Sequence, residues 1–281
     1  RKIDDEAFLF CGTNGGSLTI DNAAVAIGAD AFAFCNITSI DLGNRIQSIG
    51  NNAFSYCTRL QSVSIPASLE SLGDSVFYYC LNLQHAVIFS PISILPDYTF
   101  CACTSLEEVE VPSTVSRIGN YAFADCSSLP TLTIPESVTE MGEAALANCT
   151  NIQSIHCLNT TPPVAYSSTF YGCNRDAVLL VPCNSSMNYI SNPNWNYFDN
   201  IEEDCESIEE LGSDSVRIIS INNALSVYGA QGASLYVFDA VGRQLYHKAS
   251  VTDIETINMP SAGVYLIKVG SSPARKVTII R

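Results

Sequence analysis

The sequence predicts a solenoid of stacked coils followed by a small β-sandwich. Three observations carry this prediction. A cysteine closes a similar phrase eight times, at Cys11, Cys35, Cys57, Cys80, Cys103, Cys126, Cys149 and Cys173, in steps of 22 to 24 residues. Phe stands three residues before seven of the eight, and Leu146 takes its place in the remaining copy. From Val216 onward this period stops and short alternating strands follow. A fixed period in this range is the mark of a solenoid, because no single copy buries its apolar face alone.

Each part of the unit has a mechanical reason. In one full copy Leu60, Val63 and Ile65 are apolar, Pro66 ends the run, Leu72 and Gly73 turn the chain, and Phe77 and Cys80 close it. Period-two alternation puts Val63 and Ile65 on one face of a short strand, and Pro66, lacking an N–H, stops the ladder. Such strands stack in parallel from copy to copy and form the concave side of the solenoid. Gly recurs seven residues before the Cys as Gly28, Gly50, Gly73, Gly119 and Gly142, with Pro96 in that place in the fifth copy. A glycine is expected there either for positive φ or for close passage beside a neighbour. The Ala-Phe-x-x-Cys piece, as at 53–57 and 122–126, predicts a helical turn on the convex side that drops Phe and Cys inward.

These residues resemble the BspA-like leucine-rich repeat family, whose unit is close to Leu-x-x-Ile-x-Ile-Pro-x-x-Leu-x-x-Ile-Gly-x-x-Ala-Phe-x-x-Cys. The resemblance covers residues 1–204, with a truncated copy at Arg1 and an eighth copy, 166–173, that has lost the Gly phrase. It implies a leucine-rich repeat solenoid, a bacterial or protist surface protein, and adhesion-like binding. The chain opens inside a copy, so upstream sequence is expected.

Charge divides the chain unevenly. Residues 1–214 hold 6 basic and 25 acidic groups, whereas residues 215–281 hold 7 basic and 3 acidic. A solenoid this acidic repels phosphate, which argues against nucleic acid and bare anionic membrane and favours a basic or neutral ligand. The same acidity also serves solubility alone. No apolar run approaches the roughly 20 residues of a membrane helix.

Between 166 and 204 the repeats give way to Pro182, Pro193, Tyr189, Trp195, Tyr197 and Phe198. This cluster is expected to cap the last coil, where a large ring excludes water from an open apolar edge; a carbohydrate platform is the other reading. Residues 205–214 read as an acidic linker. The tail, 215–281, reads as a small immunoglobulin-like β-sandwich with strands at 216–221, 225–228, 235–239, 244–247, 264–269 and 276–280, separated by turn residues. Its phrases 235–243, 260–269 and 276–281 resemble, in order, the type A C-terminal sorting domain of type IX secretion. That resemblance implies a Bacteroidetes-type source, sorting machinery as a partner, and location outside the cell or on the outer-membrane surface. An ordinary immunoglobulin-like module is the alternative.

The eight repeat cysteines point the same way from neighbouring coils, too far apart at Cβ for bridges. They are expected to form a buried ladder whose weak S–H donors serve loop carbonyls. Cys157 takes an inward place, and Cys101, where Tyr78 stands one copy earlier, is expected partly exposed and free. Cys183 and Cys205 flank the cap, where a bridge would tie the linker to the last strand; paired and free thiols both stay open. No metal array is expected, since the ladder offers no paired Cys-x-x-Cys at one level. No cofactor is implied.

Catalysis finds no motif: three histidines, His85, His156 and His247, lie in no nucleophile elbow, phosphate loop or metal helix. Acid groups at Glu107, Glu108, Glu110 and at Glu202, Glu203, Asp204 leave a glycosidase as a remote reading, but an open sheet does little to separate their pKa values. Binding has a natural platform in two outward columns. The first runs Thr19, Asp41, Ser64, Val87, Glu110, Thr133, His156, Leu180, and the second Ser17, Ser39, Ser62, His85, Glu108, Thr131, Ser154, Val178. The candidate contacts are His85, Val87, Glu108, Glu110, Thr131, Thr133 and His156. The expected partner is a host matrix or bacterial surface protein, with a carbohydrate ligand as the rival. Asp-Ser-apolar triplets at Ser75 and Ser215 resemble the O-glycan acceptor of Bacteroidetes.

Overall fold

A computed structural model describes residues 1–12, 15–205, 217–221, 224–228, 232–239, 243–250, 254–258, 263–269 and 275–279. The chain divides into two compact units, Arg1–Asp204 and Cys205–Arg281. The first is a stack of coils. Each full coil contributes one strand to a main parallel sheet, a two-residue strand to a lateral parallel sheet, and a turn segment ending at the repeat cysteine.

The main-sheet strands include Ser39–Asp41, Ser62–Ile65, His85–Ile88, Glu108–Val109, Thr131–Ile134, Ser154–Cys157 and Val178–Pro182. Equivalent residues sit side by side, as in Ser62↔His85↔Glu108 and Thr133↔His156↔Leu180. Alternation sends Val63, Ile65, Leu132 and Ile134 into one core that extends from the first coils to the cap. The pairing is interrupted once: the strand at Glu108–Val109 closes one sheet and that at Thr131–Ile134 opens the next.

The lateral sheet shows why glycine recurs. At Gly50, Gly73, Gly119 and Gly142 φ is not positive, but an added Cβ would lie 2.5 to 2.6 Å from a backbone nitrogen of the preceding coil. Close passage, not handedness, sets the requirement. Each of these glycines donates its N–H to the coil before it, as Gly73 does to the Ile49 carbonyl at 2.8 Å and Gly119 to Leu95 at 2.8 Å. Pro96 carries a Cβ and has no N–H to give to Leu72. The lateral sheet divides there, between Ser71–Leu72 and Ile94–Leu95. A cleft of about 390 Å³ lined by Glu70, Leu72, Asp74, Ile94 and Arg117 occupies the break.

On the turn face the expected helical turns are absent. Instead two residues per coil, five and one before the cysteine, adopt left-handed φ: Asn52 (56°) and Tyr56 (56°), Ser75 (59°) and Tyr79 (61°), Tyr98 (58°) and Ala102 (59°). Each is the third residue of a tight turn, closed by bonds such as Ala53 N–H to the Gly50 carbonyl and Cys57 N–H to the Phe54 carbonyl, both 3.3 Å. This is a type II arrangement, which usually recruits glycine. The intervening N–H groups reach the next coil, as Phe54 does to Val76 and Tyr56 to Tyr78. Alternation of local and inter-coil bonds therefore satisfies the backbone without helix. A non-glycine residue at such φ costs about 1 to 2 kcal/mol, which the inter-coil bonds offset.

Two ring ladders run through these turns. The inner one stacks Phe8, Phe32, Phe54, Phe77, Phe100 and Phe123 at 5.0 to 5.8 Å between centroids. Beside it six repeat thiols, Cys35 to Cys149, donate to the Phe carbonyl of the preceding coil, Cys57 to Phe32 and Cys80 to Phe54 at 3.2 Å, and Cys173 donates to the Leu146 carbonyl at 2.8 Å. Burial raises the Cys57 thiol to about 12 and pushes Cys80, Cys103 and Cys126 well up. The outer ladder stacks Phe10 on Phe34 (4.7 Å) and Phe34 on Tyr56 (4.5 Å), crosses through Tyr78 and Tyr79, and ends with Tyr98 on Tyr121 at 4.8 Å. Cys101 is not partly exposed. It is 6% accessible within a cluster with Ala102, Ala124 and Tyr78, and burial lifts its thiol to about 12.

The end of the solenoid is sealed by rings. A short helix, Ser186–Ile190, and a 3-10 turn, Trp195–Tyr197, bury Tyr189 and Trp195 completely. Trp195 Nε1 donates to the Pro163 carbonyl at 2.8 Å, and the Tyr189 hydroxyl to that of Asn159 at 2.6 Å. With these rings and Phe198 inside, the cluster is a cap and offers no carbohydrate platform. A further strand, Asn200–Asp204, pairs in parallel with Val178–Pro182. Just past it, Cys183 and Cys205 are disulfide-bonded.

The described residues of the second unit form two antiparallel sheets, of three and four strands. Leu225, Val227, Leu235, Val237, Ile257, Tyr265, Ile267 and Val269 are buried together. A strand at Ile254–Asn258, unforeseen from the sequence, pairs with Ala224–Tyr228. Its Ile254 and Ile257 stand three apart, out of phase with strand alternation.

Candidate binding surface

The main sheet turns one side chain in and the next out, so its outer columns follow from strand geometry alone. His85 and Glu108 are register partners, and His85 Nδ1 lies 3.4 Å from Glu108 Oε2. Both side chains are exposed, so the contact orients them while adding under about 1 kcal/mol. Val87, half-buried, pairs with Ser64, and Glu110 lies exposed just beyond its strand. Thr133 pairs with His156 and Thr131 with Ser154. The interruption of the sheet thus separates His85, Val87, Glu108 and Glu110 from Thr131, Thr133 and His156: adjacent coils, two sheets.

Several outward residues escaped the sequence reading. The columns continue one step further, through Asn200 beside Val178 and Glu202 beside Leu180; that strand, Asn200–Asp204, holds a single apolar residue, Ile201, and so shows no alternation to read. Phe89, exposed, stands where other copies carry Pro66, Pro112 and Pro135, at the end of the His85–Ile88 strand. The outer ring ladder was also missed, although its rings recur at fixed offsets from the cysteines.

Other candidates divide as follows. Ser75 is half-buried at left-handed φ, and its N–H donates to the Asp97 carbonyl at 2.9 Å. Ser215 and most of the acidic linker lie outside the described residues. Cys183, Glu203 and Cys205 bring ligand atoms within 4.8 Å of one another. The two sulfurs are bonded, and the Glu203 carboxylate accepts from the N–H groups of Asn184 (3.0 Å) and Ser186 (2.9 Å), so the trio offers no metal an open site. Among the described residues no helix is long and apolar enough to cross a membrane.

Comparison with solved structures finds similar coils. A leucine-rich repeat protein from Eubacterium ventriosum aligns with TM-score 0.50 at 20% identity, over 56% of this chain and 42% of that one. A leucine-rich repeat protein from T. pallidum aligns at 25% identity and TM-score 0.44, over 53% and 70%. One from Bacteroides ovatus aligns at 21% and 0.41, over 72% and 64%. The chain thus spans less than half the length of the Eubacterium protein. A search of curated proteins finds no match. The model of the BspA type leucine-rich repeat region matches residues 1–107 and 93–215 in six copies. With register, inner ladder and family model in agreement over most of its length, the chain belongs to the BspA-type leucine-rich repeat family.

Proposed function

We infer that the chain is a non-catalytic binding protein that works outside the cell and engages a protein partner through the outward columns of the main sheet. The observation that carries this reading is the exposed patch of His85 and Glu108 on hydrogen-bonded, in-register strands, with Glu110 just beyond its strand, Val87 beside it and Phe89 at its edge. Rigid backbone at the contact lowers the ordering cost of binding. The acidic surface favours a partner with a basic epitope. Host matrix and other bacterial surface proteins are the partner classes, and a carbohydrate ligand is the second reading. The test is a panel of matrix proteins and a glycan array probed with the chain and with a Glu108→Gln/Glu110→Gln variant. Protein binding weakened by the variant supports the reading; glycan binding alone, or indifference to the variant, rejects it.

The second unit serves, in this reading, as an immunoglobulin-like type A sorting domain that routes the chain to the outer-membrane surface of a Bacteroidetes-type bacterium. Its ordered phrases at 235–243, 260–269 and 276–281 and its basic balance support this. Deleting 215–281 in the source bacterium should abolish surface display in a protease-shaving assay while the capped solenoid stays folded; unchanged display rejects the assignment. Ser75 and Ser215 are the O-glycan acceptors to inspect by mass spectrometry of native protein, and Ser215 is the better placed, since the Ser75 backbone is held in the turn face.

A further inference from the structure

The break in the lateral sheet at Pro96 forms a second site, separate from the main-sheet columns. In the other coils the residue three before the glycine position donates its N–H to the coil before it: Gln47 to Val25, Glu70 to Gln47, Ser116 to Ser93 and Thr139 to Ser116, each at 2.8 Å. Among the described residues Ser93 makes no such bond to the Glu70 carbonyl, and Pro96, lacking an N–H, makes none to that of Leu72. Glu70, Leu72 and Ser93 all line the cleft of about 390 Å³, a volume within the range of about 300 to 1,000 Å³ that ligand sites occupy. The core is open at the same point. Leu72 takes an inward place whose equivalents Ile49, Leu95, Ile118 and Met141 are at most 2% exposed, yet it is only half-buried, and Ile94 across the break is 46% exposed.

Unpaired backbone groups on a strand edge are a template for another extended chain, because main-chain hydrogen bonds supply the affinity whatever the partner's side chains. The opening is bounded at both ends: Ser90 Oγ donates to the Leu69 carbonyl at 2.7 Å, and the Asp97 N–H to Asp74 Oδ1 at 3.2 Å. Between these ties there is room for only about three residues of extended chain, at about 3.3 Å each. The rim is acidic. Glu70 and Asp74 are exposed and meet no basic side chain among the described residues. Arg117, the cation lining the cleft, is held between Asp97 and Glu140 at 3.5 Å each. An apolar floor beneath free carboxylates favours an apolar residue between basic ones.

We propose that the cleft at Pro96 docks a short extended segment of a partner polypeptide, an apolar residue flanked by arginine or lysine. Its N–H groups donate to the Glu70 and Leu72 carbonyls, and one of its carbonyls accepts from Ser93. Its apolar side chain covers Leu72 and Ile94, and its cations reach Glu70 and Asp74. The test titrates the full chain into fluorescein-labelled Gly-Ser-Arg-Val-Arg-Ser-Gly at physiological ionic strength and follows anisotropy. Saturable binding is expected, weakened about tenfold or more when the amides of the valine and the second arginine are N-methylated, since methylation removes donors and keeps every side chain. Pro91→Ser/Pro96→Gly installs the residues that the preceding copy carries as Ser68 and Gly73. It returns the inter-coil donors, closes the ladder and should abolish binding, with the fold kept as read by circular dichroism. Glu108→Gln/Glu110→Gln on the main sheet should leave binding unchanged. In the parent chain the peptide should slow hydrogen exchange at the Ser93 N–H. No binding, equal affinity for the methylated peptide, full binding by the folded double-proline variant, loss through the main-sheet variant, or a Ser93 amide that gains no protection would each overturn the proposal.

Discussion

The two ring ladders occupy the same turns at the same coil spacing, yet one is sealed and the other lies open. Phe100 is fully buried, while Tyr98, two residues earlier, is exposed. Stacking alone is worth about 0.5 to 1.5 kcal/mol per pair beyond area burial, and both ladders gain it. Only the inner rings, from Phe32 to Phe123, add near-complete removal from water and carbonyls that receive a thiol from the next coil, whereas Phe8 in the first coil stays exposed. The inner ladder therefore sets stability, and the outer one is free to vary with what the surface must bind.

Trp195→Ala attacks the sealed side at its end and should have the largest effect. It removes a fully buried ring and the Nε1 bond to Pro163, at a cost of about 5 kcal/mol, and should lower the first transition in urea unfolding followed by circular dichroism. A shift no larger than that of a surface substitution would deny the cap its role. Reducing the Cys183–Cys205 bond should cost less, about 3 kcal/mol for a loop of this size, read as a lower melting temperature in dithiothreitol that Cys183→Ser/Cys205→Ser reproduces. Insensitivity to reductant would count against the tie.

The thiols give a pH signature confined to the sealed side. Burial raises Cys57 and Cys101 from an ordinary 9.0 to about 12. A raised folded pKa contributes stability that is fully present below about pH 9 and is lost as pH climbs toward 12. Denaturation midpoints should be flat with respect to these groups up to pH 9 and fall above it, and alkylating agents should modify exposed Cys11 long before Cys57 or Cys126. Early labelling of Cys126 would contradict the buried ladder. The smallest effect has the opposite sign. Ala102 sits at φ 59°, so Ala102→Gly should stabilise by up to about 1 kcal/mol by relieving the left-handed penalty, read as a higher urea midpoint; a lower midpoint would contradict it.

The repeat, the inward residues and the cap were legible because burial imposes residue types at fixed intervals: Phe, Cys, Val and Ile mark the core wherever they recur. The turn conformation was not legible. Left-handed φ at Tyr56, Tyr79 and Tyr98 violates the glycine preference on which turn reading depends, and inter-coil bonds that no single copy contains stabilise it. Gly73 and Gly119 showed a requirement but not which one; only the adjacent coil reveals that space is the reason. Cys101 read as exposed because Tyr78 occupies its place one copy earlier, yet a small side chain there is covered by its neighbours. The outward columns could be counted from the cysteines, whereas the interruption after Glu108–Val109, which splits the candidate residues into two groups, left no mark in the counting.

The division between sealed and open ladders is tested most directly inside one coil. Phe100→Ala and Tyr98→Ala, compared by urea denaturation of the otherwise intact chain, should differ severalfold: about 3 to 5 kcal/mol for the buried ring against about 1 kcal/mol for the exposed one. Equal losses, or a larger loss at Tyr98, would contradict the account.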